Sequence, residues 1–217
     1  MSARARFTGT AVLLLRDDID TDQIVPARFL KGTDRSGLDS ALFADKRSEP
    51  DFPLNTPGAA GAAFLVAGRN FGCGSSREHA VWALRAFGFR AVIATSFADI
   101  FRRNALENGL LPIAVGAATH ARIGELCERD RSCTLQVDLT GPMLTLSDGT
   151  HVPFDVDPFA RRCLLDGTDA LGMLLAHARD IDGYEAAVEG RAARVGSGIS
   201  VHSPLSPLPS PQPSGSN

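Results

Sequence analysis

The chain lacks what several function classes require. Aromatic residues make up 6% of the sequence, with one tryptophan and one tyrosine, too few for a base-stacking surface. Net positive charge is also missing. Its 22 lysines and arginines against 25 aspartates and glutamates leave −3 at pH 7, which argues against a general nucleic-acid binder. No apolar run approaches the roughly 20 residues of a membrane-spanning helix, so no membrane partner is expected. The four cysteines, Cys73, Cys127, Cys133 and Cys163, form no C-x-x-C pair. The step from Cys127 to Cys133 matches no common zinc spacing. The five histidines are scattered, so no histidine-based metal site stands out. The opening "MSARARFTGTAVLLLRDD" is basic and then briefly apolar. Its apolar part is shorter than a signal-peptide core and ends in charge, so it reads as a first strand. These features predict a reduced, cytoplasmic protein with unpaired thiols.

What is present describes an ordinary globular domain: 217 residues, 44% apolar and 22% charged, enough for one sizeable core and a tail. Phe7–Leu15 reads as a strand and runs into the acidic turn "RDDIDTDQIVPARFL". Residues 31–61 are rich in Gly, Pro, Asp and Ser and read as a long irregular stretch, which in compact domains is usually functional or mobile. "AAFLVAG" is a short, continuously apolar strand of the buried parallel type. "SREHAVWALRAFG" follows with helical spacing, placing Ala80, Ala83, Leu84 and Phe87 on one face and Gly88 just past the end. "RAVIAT" and "LLPIAV" read as strands, with the helix "FADIFRRNALENG" between them. "THARIGELCERD" reads as a helix capped by Thr119. This alternation predicts a parallel α/β sheet. "CTLQVDL", "MLTLSD" and "THVPFDV" then suggest antiparallel strands with turns at Gly141-Pro142 and Asp148-Gly149. "DPFARRCLLDG" and "DALGMLLAHARDIDGYEAAVEG" read as closing helices. The expected domain is 1–195. The tail 196–217, mostly Ser, Pro and Gly, is expected to be disordered.

The chemistry concentrates in "NFGCGSSREHA", residues 70–80. One reading is structural: Ser75-x-x-Glu78 forms a capping box and the glycines allow a tight strand-to-helix turn. The other is functional. A helix start after a Gly-rich turn suits an anion. Arg77 adds a planar fork for a carboxylate, and Ser75 and Ser76 place hydroxyls at the same spot. A serine there acts as a base only if its alkoxide is stabilised. A P-loop is excluded because there is no lysine, and the dinucleotide fingerprint is broken where Arg77 replaces its third glycine. Two further readings stay open: an activated Cys73 thiolate with His79 as its base, giving a cysteine hydrolase, and a non-catalytic anion-binding module.

Taken with "DIDTDQIVPARFL", "SFADIFRRNALENGLLPI" and "PFARRCLLDGTDALG", this motif resembles the small subunits of 3-isopropylmalate dehydratase, in which the swivel domain of the aconitase family is a separate chain. The resemblance runs from about Phe7 to Glu189. It implies an α/β fold of the swivel β/β/α type, with a mostly parallel sheet flanked by helices plus a small antiparallel strand set. It implies a hydro-lyase that converts 2-isopropylmalate to 3-isopropylmalate through isopropylmaleate, in leucine biosynthesis. Small subunits of related hydro-lyases, acting on citraconate or homoaconitate, share the motif and remain an alternative. By the same resemblance Ser75 is the catalytic base, Arg77 binds a substrate carboxylate and Ser76 lies in the same pocket. Asp20, Thr21 and Asp22 match a D-T-D segment that shapes the active-site face together with Gly74. Asp22 is a candidate to hold an arginine; otherwise these carboxylates cap nearby amides. The loop of roughly 31–40 corresponds to the region that sets substrate choice, and Arg35 reaches a carboxylate there. An enzyme of this class that worked alone would need three cluster-binding cysteines, and this chain has no such set. It is therefore expected to bind no cofactor and to be inactive alone. The expected partner is a large subunit bearing a 4Fe-4S cluster, in a heterodimer.

Overall fold

One longer strand with an apolar second half and three short, almost wholly apolar strands form one half of the sheet. They are β1 (Arg6–Leu14), β2 (Phe64–Ala67), β3 (Ala91–Ala94) and β4 (Leu111–Ala114). β2 and β3 are buried along their whole length, as strands covered on both faces must be. In the computed structural model, which describes residues 5–30, 37–168, 172, 173, 175, 178, 183, 184 and 188, the strands form one seven-stranded sheet ordered β4-β3-β2-β1-β5-β6-β7. β1 to β4 pair in parallel, with Ala11 opposite Phe64 and Ala91 opposite Leu111. β5 (Thr134–Asp138), β6 (Met143–Thr145) and β7 (His151–Pro153) add antiparallel to the far edge of β1. The antiparallel set expected from sequence therefore continues the parallel sheet.

Helices cover both faces. On one, α3 (Glu78–Phe87) buries Ala80, Val81, Ala83 and Leu84, and α4 (Asp99–Glu107) buries Phe101 and Ala105. They pack with Val12, Leu65 and Val92 from the sheet. On the other, α5 (Ala117–Arg129) sets Ile123, Leu126 and Cys127 against Phe64, Val66, Ile93 and Val137. Alternate residues of each strand serve opposite faces, as pleating requires. α6 (Pro158–Asp166) starts at an Asp157 cap and ends at Gly167 with φ 67°. Gly88 closes α3 at φ 120°.

Two local expectations change. α5 begins after Gly116, so Thr119 lies inside the helix and does not cap it; the Ala117-Ala118 pair has ample helical propensity to extend the first turn backward. The described part of 31–61 is not simply irregular. Short α1 (Thr21–Ile24) and α2 (Leu38–Ala41) flank its start, and Leu42, Phe43, Phe52 and Leu54 are core residues. Polar composition hid these isolated apolar anchors. The chain also divides into two units, 1–173 and 174–217. In the second, residues 175, 178, 183, 184 and 188 are helical, matching the last predicted helix. The boundary expected at 195 and the Ser/Pro-rich tail lie outside the described residues.

Beyond β2 the chain turns sharply. Gly72 has φ 77°, and a Cβ there would lie 2.5 Å from Cδ2 of Phe101. Phe101 meets Phe71 edge-on, with ring centroids 5.2 Å apart. Gly72→Ala is therefore expected to combine a left-handed backbone penalty with overpacking, costing about 2–4 kcal/mol. A fall in the urea midpoint at unchanged slope checks it.

Candidate active site

The segments leaving β1 and β2 converge at the carboxyl ends of the parallel strands, where open α/β sheets place their sites. Backbone hydrogen bonds zip the two segments together: Asp18 N–H to Arg69 C=O (2.8 Å), Gly72 N–H to Ile19 C=O (2.8 Å) and Thr21 N–H to Cys73 C=O (2.9 Å). Asp20 and Cys73 form a parallel bridge, and Phe71 forms another with Phe97. Asp18 and Asn70 both sit at positive φ, 54° and 56°. The Asn70 amide donates to the Asp18 carboxylate at 2.8 Å, holding two unfavourable backbones against each other.

At residue 21 the first segment turns into α1 and its main chain can no longer continue the ladder. The Thr21 side chain does so instead. Ser75 N–H donates to Thr21 Oγ1 at 3.2 Å, and that hydroxyl lies 3.3 Å from Ser75 C=O and 3.1 Å from Ser75 Oγ. On the other side Asn104 Nδ2 donates to Ser76 C=O at 3.3 Å. Thr21 and Asn104 are the only buried polar side chains among the described residues, at 1% and 5% exposure, and both hold the serine pair. At Gly74, with φ 95°, an added Cβ would lie in van der Waals contact with Asp20 and Thr21. Ser75 and Ser76 themselves are exposed.

Arg77 is held by an ion pair from Nη1 to Asp22 Oδ1, which leaves the Nε and Nη2 edge of the guanidinium for another carboxylate. Asp20 caps α1, accepting from Gln23 N–H at 2.7 Å. The two readings of the acidic turn thus divide by residue: Asp22 holds an arginine and Asp20 caps. Ser75, Ser76, Arg77, Gly74, Asp20, Thr21 and Asp22 form one cluster. Arg35 lies outside the described residues.

The capping box is not formed. α3 begins at Glu78 after Arg77, with no side-chain cap, and the Ser75 hydroxyl faces Thr21. The extended backbone at Arg77, φ −75° and ψ 113°, delays the helix past the position a Ser75 cap would need. The cysteine hydrolase reading finds no support at Cys73. Burial and the carboxylates of Asp20 and Asp18 raise the Cys73 pKa above that of an ordinary thiol, the reverse of an activated thiolate. The His79 ring lies tilted at 49° against Trp82, with ring centroids 4.6 Å apart.

Sequence reading missed Asn104. The signal was there: Asn104 follows Phe101 by three, on the buried face of α4, and a polar residue on such a face needs a partner. Asn108 supports it from behind, receiving Trp82 Nε1–H at 2.8 Å and donating to Asn104 C=O at 3.0 Å. Among the described residues no group of three or more His, Cys, Asp or Glu could hold a metal. Cavities of about 440 and 360 Å³ are lined by none of the serine-loop residues.

The chain is similar to known proteins. Residues 3–118 match the family of the aconitase C-terminal domain. The 3-isopropylmalate dehydratase small subunit of Herpetosiphon aurantiacus is 53% identical over 190 residues, covering 88% of this chain and 96% of that one. That of Roseiflexus sp. is 53% identical over 194 residues, covering 87% and 94%. The crystal structure of a 3-isopropylmalate dehydratase from Methanocaldococcus jannaschii is similar at a TM-score of 0.61 and 31% identity, covering 83% of this chain and 99% of that one.

The state of Cys73 is directly testable. Its alkylation by iodoacetamide is expected to be slower than that of a free cysteine at pH 8, with a half-point displaced to higher pH. A half-point below the free thiol would restore the thiolate reading.

Proposed function

The chain belongs to the aconitase C-terminal domain family, among the 3-isopropylmalate dehydratase small subunits, and we propose that Ser75 and Arg77 are its contribution to an active site completed by a large subunit. The reaction is the interconversion of 2- and 3-isopropylmalate through isopropylmaleate in leucine biosynthesis. The observation that carries this reading is the serine loop itself: an exposed hydroxyl, anchored from beneath, beside an arginine whose free edge suits a carboxylate.

Arg77 grips a carboxylate of the substrate with paired N–H donors, and Asp22 fixes the plane of the guanidinium. Ser75, as an alkoxide that has already lost its proton, takes the carbon-bound proton. The pair from that C–H bond becomes the new π bond, and the hydroxyl on the adjacent carbon departs with its own bond pair. Ser75 ends as a neutral hydroxyl. Readdition of that hydroxide at the carbon that lost the proton, with Ser75 returning its proton to the carbon that lost the hydroxyl, completes the isomerisation and regenerates the alkoxide. A 4Fe-4S cluster, assigned by this reading to the large subunit, supplies the Lewis acidity for the departing hydroxyl.

An exposed serine in water is far too weak an acid to serve as this base. Excluding water and surrounding the site with positive charge changes that balance. This is the physical reason for a heterodimer in which the small subunit alone is inactive. The cytoplasm is the compartment this reading assigns; the first apolar run is a strand of the sheet, and no helix among the described residues is long and apolar enough to cross a membrane.

Isopropylmaleate formation, followed by ultraviolet absorbance, tests the reading. This chain is assayed alone and then anaerobically with a cluster-loaded large subunit. Turnover is expected only in the mixture. Ser75→Ala is expected to abolish turnover with assembly intact, a loss of about 1000-fold or more. Arg77→Lys is expected to raise KM and lower kcat, because an ammonium lacks the paired donors. A Ser75→Ala complex that turns over at the wild-type rate removes the assignment of the base.

A further inference from the structure

The Thr21 hydroxyl has one proton and two acceptors for it. Ser75 C=O lies at 3.3 Å and Ser75 Oγ at 3.1 Å, while Ser75 N–H occupies a lone pair of the same oxygen from 3.2 Å. Thr21 is 1% exposed, so water does not compete for that proton. Its own peptide groups are already engaged: N–H with Cys73 C=O at 2.9 Å, and C=O with Val25 N–H at 3.0 Å. A β-branched side chain fixed at both ends of its peptide has little freedom at χ1. What remains mobile is the hydroxyl hydrogen.

From this geometry we propose that Thr21 is a positioning residue whose hydroxyl proton turns from Ser75 C=O to Ser75 Oγ when that oxygen becomes an alkoxide. The inference rests on the assignment of Ser75 as the base. While Ser75 is neutral, its own O–H donates to Thr21, and Thr21 donates to the carbonyl. When Ser75 loses its proton, the Thr21 hydroxyl rotates and donates to the new anion. No heavy atom has to move. The Ser75 O–H bond goes with its proton, and the Thr21 O–H exchanges a long bond to a neutral carbonyl for one to a charged acceptor, which is about twice as strong. Stabilisation therefore appears mainly in the state that does chemistry, which is what accelerates a reaction. Asn104, bonded to Ser76 C=O, keeps the following peptide from drifting as the bond switches.

The closest existing parallel in physical terms is a preorganised oxyanion donor, here serving the base and not the substrate. A merely structural Thr21 would need only an acceptor for Ser75 N–H. The two roles separate experimentally.

The test uses the assembled complex with its large subunit and measures kcat, KM and the pH profile of kcat. Thr21→Val removes the hydroxyl at nearly constant volume. It is expected to lower kcat by about 100-fold, the effect of removing one preorganised donor, with KM within about twofold. The ascending limb of the kcat profile is expected to move up by about one to two pH units, as loss of a hydrogen bond to a charged group requires. Thr21→Ser, which keeps the donor, is expected to restore the limb and most of the rate. If Thr21→Val does not assemble, Thr21→Cys takes its place. Its sulfur still accepts from Ser75 N–H but donates weakly, and the same loss and shift are expected. A wild-type kcat and an unmoved limb in either variant overturn the inference. Ser75→Ala in the same assay keeps the outcomes distinct: if it is inactive while the Thr21 variants are normal, the base stands and only the role of Thr21 falls.

Discussion

A single threonine hydroxyl, on a side chain only 1% exposed, fixes the geometry on which the site depends. The parallel ladder between the segments leaving β1 and β2 would end where the chain enters α1. Thr21 Oγ1 extends it by one more acceptor, and Ser75 N–H takes that place. The serine loop is thereby tied to the sheet and not merely to its own helix. Asn104 holds the next peptide from α4. Every described buried side-chain nitrogen and oxygen has a partner, so this small polar inset carries no uncompensated desolvation. A loop of glycines and serines is otherwise the part of a fold most free to move.

The same arrangement supports the proposal that the chain supplies half of an active site. Everything beneath the serines is dry and packed: the edge-on Phe71 and Phe101 pair, the Phe71 and Phe97 pair, and the buried faces of α3 and α4. Ser75 and Ser76 themselves are exposed. Arg77 is braced on one edge by Asp22 and open on the other. The floor supplies rigidity and one positive charge. The covering surface has to supply dryness, further charge and the chemistry of the leaving group. A division of this kind lets the reactive geometry exist before the partner arrives while keeping the base too weakly acidic to ionise on its own.

Much of this was legible in the sequence, for identifiable reasons. Continuous apolar runs between Gly-terminated helical segments marked the parallel strands, and Gly88 marked the end of α3. The clustering of Asp20, Thr21 and Asp22 with Ser75, Ser76 and Arg77 followed from a resemblance carried by whole motifs. Local rules failed where a tertiary partner outbid them. Ser75 and Glu78 have the spacing of a capping box, yet Thr21, 54 residues earlier, takes the serine. Asn104 reads as one more polar residue of a helix until the fold brings Ser76 above it. Leu42, Phe43 and Phe52 were hidden in a stretch whose composition is that of a loop. Arg35 and the Ser/Pro-rich tail lie beyond what the described residues address.

The most direct test of the account is amide hydrogen exchange at Ser75 in the isolated small subunit. Ser75 N–H, bonded to a buried Thr21 hydroxyl, is expected to exchange about 100-fold or more slowly than an unstructured amide, despite its exposed side chain. Exchange at the rate of a free loop would contradict the account, because the serine would then not be anchored before its partner closes over it.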